Sequence, residues 1–220
     1  FAGFFRLGVE HIGTGYDHLA FLAALFLAAS RARALVGVAT AFTAAHSLAL
    51  ALAVLGVVDL PSGLVELSIA MSIAYVGAQN LLVRASATRS ARRTLRCWRA
   101  RRPPCRRAMR APSARWAEAL VFGLVHGLGF AGFLERALES EPLVATALVG
   151  FNLGVEAGQV VAICLLAAVV RLLPGDRAHG EHARAWLAPR WLRRAGSLTV
   201  AALGVFWFLA RAGWLPRGLA

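Results

Sequence analysis

Residues 36–57 read VGVATAFTAAHSLALALAVLGV. This stretch has no charged residue, and its single ionisable side chain, His46, stands near the middle. At a rise of about 1.5 Å per residue, 22 helical residues span about 33 Å, enough for a bilayer core of about 30 Å. The stretch therefore reads as a membrane crossing. It also raises a question, because a titratable or strongly polar group at that depth is costly unless something pairs with it.

Five further apolar segments flank this one, which extends over about 34–57: about 8–30, 62–84, 116–134, 143–173 and 195–214. The 220-residue chain is 59% hydrophobic and 16% charged, with a mean hydropathy of +0.63. Soluble domains carry about 25% charged residues. The expected fold is an all-α integral membrane protein: a six-transmembrane-helix bundle forming a single transmembrane domain.

All 24 basic residues are arginines, and their placement sets the orientation. Arg31 and Arg33 follow the first segment, 12 arginines lie between Arg84 and Arg115, and six lie between Arg171 and Arg194. The opposite side holds only Arg6, Arg136, Arg211 and Arg217, with the acidic run ERALESEP. Cytoplasmic loops carry the arginine excess. Both termini are thus expected on the extracytoplasmic side of a bacterial inner (cytoplasmic) membrane, with residues 85–115 as an Arg-rich cytoplasmic loop. The chain starts at Phe1, and the parity agrees with a signal peptide upstream.

The net charge of +13 is concentrated in these loops, with no aromatic–basic interleaving, so nucleic acid is not an expected partner. The loop 85–115 reads as a topology anchor against anionic membrane lipids, or as a dock for a cytoplasmic partner. Cys97 and Cys105 fit no common zinc spacing and read as free thiols, as does Cys164 in its apolar segment. His179 and His182 read as solvated loop residues. Assembly into a homo-oligomer or with a partner subunit stays open.

The informative residues are the polar ones at membrane depth. The first segment holds Glu10, His11, Asp17 and His18; the second Thr43, His46 and Ser47; the third Glu66, Ser68, Ser72 and Asn80. The fourth holds His126, and the fifth Asn152, Glu156 and Gln159. Thr43, His46 and Ser47 share one helical face, as do Asn152, Glu156 and Gln159. Each residue alone could serve a structural role across a helix pair. Four histidines and several carboxylates at similar depth on different helices point instead to a common polar site. Neutral imidazoles with carboxylates suit divalent nickel, zinc, copper or iron, and the absence of a Cys or Met cluster argues against Cu(I). No arginine is expected in the cavity, which argues against an anionic substrate. A proton relay is the other chemistry such groups support.

Glycines surround two of the histidines: Gly8, Gly13 and Gly15 around His11, and Gly123, Gly127, Gly129 and Gly132 around His126. They allow close backbone approach or local unwinding. In a straight helix His11 and His18 would stand about 10.5 Å apart along the axis, too far to share one ion with bonds of about 2.1 Å. Either they serve two sites, or Gly13 and Gly15 break the helix. GVEHIGTGYDH and GLVHGLGFAGF also echo each other at the first and fourth segments, as inverted three-span repeats would.

Five blocks carry a family resemblance: H-x5-D-H at His11, Asp17 and His18, then AFTAAHS, VELSIAMSI, FGLVHGLGFA and FNLGVEAGQ. Together they resemble the HupE/UreJ family of bacterial membrane proteins, over about residues 8–160. The resemblance implies a nickel or nickel/cobalt permease of the kind found beside hydrogenase and urease genes. It makes His11, Asp17 and His18 the leading metal residues, followed by His46, His126 and Glu156. The chain departs from the hydrogenase- and urease-linked members in lacking a longer His-Gly-x-x-x-Gly-x-Glu run. Glu10, Thr43, Ser47, Glu66, Ser72, Asn152 and Gln159 are expected to line the path. The alternative is an intramembrane zinc-type hydrolase acting on a lipid or membrane-embedded substrate, with Ser47 and Ser72 binding the lipid. A third is a structural or proton-conducting subunit.

Overall fold

The computed structural model describes residues 1–29, 32–99, 113–138, 143–173 and 188–215, without the side chains of 83–99, 113–114 and 190. The readings made for Cys97, Cys105, His179 and His182, and for most of the loop 85–115, fall outside the described residues or side chains. The described elements are all helical: α1 (Ala2–Thr14), α2 (Tyr16–Ala28), α3 (Ala32–Val54), α4 (Ser62–Arg99), α5 (Ser113–Leu138), α6 (Val144–Leu172) and α7 (Arg190–Arg211). Five of these, α3 to α7, contain stretches long and apolar enough to cross a membrane. Helix α4 does not stop at the end of its apolar part but continues to Arg99, into the arginine-rich stretch expected to be loop.

The expected first span differs from the others. It is two helices of 13 residues, α1 and α2, meeting at Gly15. Each is about 20 Å long, too short alone for a bilayer core of about 30 Å; in series they match one crossing. Two other glycines close helices. Gly56 (φ 68°) ends α3, with Val57 N–H on the Leu52 carbonyl and Gly56 N–H on that of Ala53. Gly213 (φ 74°) ends α7 with the same bond pattern. Both occupy the left-handed region that a side chain disfavours.

The helices pack in three tight pairs: α3 with α5, α1 with α6, and α4 with α7. Small residues bring these backbones together. Along α1 and α6, Phe1 meets Gly150, Phe5 meets Gly154 and Ile12 meets Gly158, so the two run parallel. Along α3 and α5, Gly37 meets Trp116, Phe42 meets Gly123 and His46 meets Gly127, again parallel. Gly77 meets Ala201 and Ala70 meets Gly204, so α4 and α7 run antiparallel. With α1 and α2 counted as one unit, exchanging the first three units (α1 with α2, α3, α4) with the last three (α5, α6, α7) turns the α1–α6 pair into the α5–α3 pair and leaves α4–α7 unchanged. This is the pattern an inverted repeat would produce. Helix α2 breaks the symmetry: it sits in the middle, packed against α3, α4, α6 and α7, with Ala20 to Leu22 and Ala24 to Leu27 buried.

The bundle carries an apolar outer surface, unlike a soluble protein, and holds several polar side chains inside. Leu48, Met71, Val121, Leu153, Leu165 and Leu198 are exposed, while His46, His126, Ser72, Asn80, Gln159 and Ser197 are buried. Two apolar clusters fill the interior, one built on α2 with Phe42 and Ile73, the other on Ile12, Leu50, Leu134 and Phe151. His46 lies one turn from Phe42 and one turn from Leu50, at the boundary between the clusters.

Candidate metal centre

The site begins at the break between α1 and α2. Gly13 and Gly15 lower helix propensity by about 1 kcal/mol each relative to alanine. Between them the Thr14 hydroxyl donates to the Glu10 carbonyl at 2.7 Å. At Gly15 the backbone leaves the helical region (φ −77°, ψ 89°). Gly15 N–H closes α1 on the His11 carbonyl at 2.9 Å, and Leu19 N–H opens α2 on the Gly15 carbonyl at 3.0 Å. Gly13 is not the break: it lies inside α1 and has open space where a Cβ would be.

The turn at Gly15 brings together two histidines that a straight helix would separate. The His11 and His18 rings are 4.5 Å apart by centroid. His46 of α3 completes a triangle, 5.8 Å from His11 and 5.7 Å from His18. Each of the three offers one ligand atom, and these atoms all lie within 4.8 Å of one another. Two nitrogens on one ion with bonds of about 2.1 Å can be no more than about 4.2 Å apart, so small rotamer shifts would close the cluster onto a metal. Nε2 of His11, Nε2 of His18 and both ring nitrogens of His46 are buried without a hydrogen-bond partner. A buried polar group left unpaired costs about 1–3 kcal/mol. Three such rings at one point form a donor set that could hold a divalent cation.

His126 of α5 stands beside this triangle, 5.1 Å from His18 by ring centroid. Its Nε2 is 2.9 Å from the Ser72 hydroxyl of α4, and that hydroxyl donates to the Ile69 carbonyl at 2.7 Å. With its proton committed, the serine oxygen accepts from Nε2–H. The pattern assigns the tautomer that leaves Nδ1 of His126 as a lone pair, and that atom is buried and unpartnered. The imidazole is thereby held as a ligand would be. The glycines of α5 do a different job from Gly15. A Cβ on Gly127 would lie 2.5 Å from the His46 carbonyl and 2.8 Å from Ala49 Cβ. Gly127 therefore lets the two histidine helices touch while α5 stays continuous. Phenylalanines wall the cluster: Phe130 lies 4.1 Å from His11, and Phe42 lies 5.2 Å from His126.

The carboxylates are placed otherwise than the metal-residue expectation has them. Asp17 Oδ2 accepts from Arg211 Nη2 at 2.7 Å, while Oδ1 is buried and unpartnered. Arg211 also donates to the Glu66 carbonyl at 3.1 Å and lies 3.9 Å from the Glu66 carboxylate. The expectation that no arginine reaches the site is corrected here, because Arg211 at the end of α7 is long enough to reach α2. Glu156 accepts from the Thr40 hydroxyl at 2.7 Å. Glu10 forms a surface ion pair with Arg6 at 2.7 Å, of the exposed kind that contributes little.

The other expected lining residues divide. Thr43 and Ser47 turn their hydroxyls back onto the carbonyls of Ala39 and Thr43. Gln159 is buried with Oε1 unpartnered, and it lines a cavity of about 10 Å³ beside His18, Ile12 and Phe42. That is room for about one water. Asn152 also has an unpartnered buried Oδ1. Sequence reasoning missed Arg211 and Thr40. The available signal for Arg211 was the arginine distribution, which groups it on the same expected side as Asp17 and Glu66, two carboxylates in need of a cation.

Two comparisons with known proteins gave nothing: no curated protein and no solved structure was found to match. The family profile described as HupE / UreJ protein matches residues 1–211. With H-x5-D-H placed at the break and its histidines gathered there, the chain belongs to the HupE / UreJ family.

Proposed function

We propose that this multi-pass membrane protein carries a divalent transition metal, nickel before cobalt, zinc, copper or iron, across the bacterial inner membrane. The observation that carries the reading is the convergence of His11, His18 and His46, with unpartnered ring nitrogens, at a mid-bundle helix break. A break of this kind places a helix C-terminus, with its partial negative charge, and a helix N-terminus together at membrane depth. His126 stands as a fourth imidazole, and Asp17 and Glu156 as carboxylates that a metal would recruit from their present partners. The directions of the helix pairs support six crossings that alternate, with α1 and α2 forming one of them. The arginine distribution supports extracytoplasmic termini.

A zinc-type hydrolase ranks second. It needs a free base beside a metal-bound water. Here Asp17 is paired with Arg211, Glu156 with Thr40, and Ser72 with His126, so the groups that would activate a water or hold a lipid are engaged. Transport makes no such demand.

The test is uptake of radioactive nickel by cells expressing the protein. The double variant His18→Ala, His46→Ala is expected to reduce uptake to the level of cells lacking the protein. Uptake unchanged in that variant, at matched membrane expression, would overturn the proposal.

A further inference from the structure

Arg211 is not itself a metal-binding group, yet it is held in place by Asp17 and Glu66. The turn closed by Gly213 ends α7 immediately after it. Its Nη1 is anchored to a main-chain carbonyl, that of Glu66, while Nη2 takes one oxygen of Asp17. Both side chains of the Arg211–Asp17 pair are about a quarter exposed (25% and 23%). The guanidinium is thus partly exposed, and through Asp17 it stands one residue along the chain from His18. Asp17 immediately precedes His18, and its second oxygen is buried without a partner.

We propose that Arg211 is the specificity-determining residue of the outer mouth: a tethered cation that occupies the Asp17–Glu66 carboxylates until a divalent metal displaces it. The inference rests on the histidine site proposed above. A guanidinium keeps its charge at any physiological pH, so the mouth is never without its +1 occupant. A divalent ion brings twice that charge and bonds carboxylate oxygen directly at about 2.0–2.2 Å, closer than the 2.7 Å contact it replaces. A hydrated monovalent ion has neither advantage and leaves the pair intact. The main-chain anchor on Glu66 lets the guanidinium release Asp17 without leaving α4, so the displaced charge moves off the ion's route. Asp17 then accompanies the metal to His18, its neighbour in the chain.

The test uses the purified full chain and cobalt ion as probe. In the wild-type protein, reaction of Arg211 with phenylglyoxal, read peptide by peptide in a mass spectrometer, is expected to accelerate several-fold on addition of cobalt and not of sodium at equal ionic strength. An unchanged or slower reaction overturns the proposal, and this measurement needs no variant to fold. In binding titrations Arg211→Gln is expected to tighten cobalt about tenfold, a gain that disappears when Asp17→Asn is already present. Unchanged or weaker binding by a folded Arg211→Gln, or the same gain with and without Asp17, overturns it. Cobalt affinity unaffected by His18→Ala with His46→Ala would overturn the histidine site itself, and this inference with it.

Discussion

Two stretches of this chain read almost alike. GVEHIGTGYDH, residues 8–18, and GLVHGLGFAGF, residues 123–133, both pair G-x-x-H with closely spaced glycines. In the first, the helix breaks at Gly15 and folds one histidine against another. In the second, α5 runs unbroken from Ser113 to Leu138, and the glycines bring a second helix close. The difference lies in what surrounds them. Gly123 and Gly127 are four residues apart, hence on one face, and that face meets the backbone of α3. Gly13 and Gly15 are two apart and share no face, so they weaken the helix without making a contact surface. Both bring imidazoles together, from α1, α2, α3 and α5.

The comparison breaks first at Gly127. Gly127→Leu must drive α5 away from His46, where even a Cβ would lie 2.5 Å from a carbonyl oxygen. Overpacking of this kind costs about 1–3 kcal/mol or more. A lowered Tm and undetectable cobalt binding by calorimetry are expected; wild-type values for both would mean that α3 and α5 are not so close.

Smaller effects separate the other glycines. Gly15→Ala is allowed by φ, but its Cβ would approach the His11 carbonyl at 2.6 Å and His18 Nδ1 at 3.0 Å. About tenfold weaker cobalt binding with a modest change in Tm is expected. Gly13→Ala meets nothing within 4 Å, so it should leave affinity unchanged and add up to about 1 kcal/mol of helix stability. If the two variants behaved alike, the break would not be the property of Gly15.

Ser72→Ala tests the tautomer of His126. Loss of an outer partner to a metal-binding imidazole typically weakens binding about 10-fold or more; a value near the lower end is expected, because His126 would be a fourth donor beside the three of His11, His18 and His46. Cobalt titration of Ser72→Ala reads this directly, and unchanged affinity would remove His126 from the centre. Acidification should weaken cobalt binding in every variant that retains it, since protons and metal compete for the same lone pairs.

Much of the architecture is legible in the sequence because bilayer thickness sets the length of an apolar helix. Five expected segments appear as single helices, four of them within a few residues of their expected limits, while α4 runs past its expected end at 84 to Arg99. The first is the exception. An apolar run of adequate length at 8–30 conceals two half-helices, because hydropathy sums over a segment and is blind to one ψ angle. The histidines stand out for a related reason: four of them fall within apolar segments, where a titratable group is costly. The partners of the carboxylates do not stand out. Asp17 and Arg211 are 194 residues apart in the chain, and Glu156 and Thr40 are 116 apart. Only the antiparallel fit of α4 with α7, and the packing of α2 and α3 against their neighbours, bring these groups together.

The most direct test of the central claim is the coordination shell of a bound metal. X-ray absorption of the purified protein loaded with one equivalent of nickel should show three or four imidazole nitrogens at about 2.1 Å, reduced in His18→Ala with His46→Ala. A shell of oxygen or sulfur alone, unchanged by those substitutions, would contradict a metal centre built by the break at Gly15.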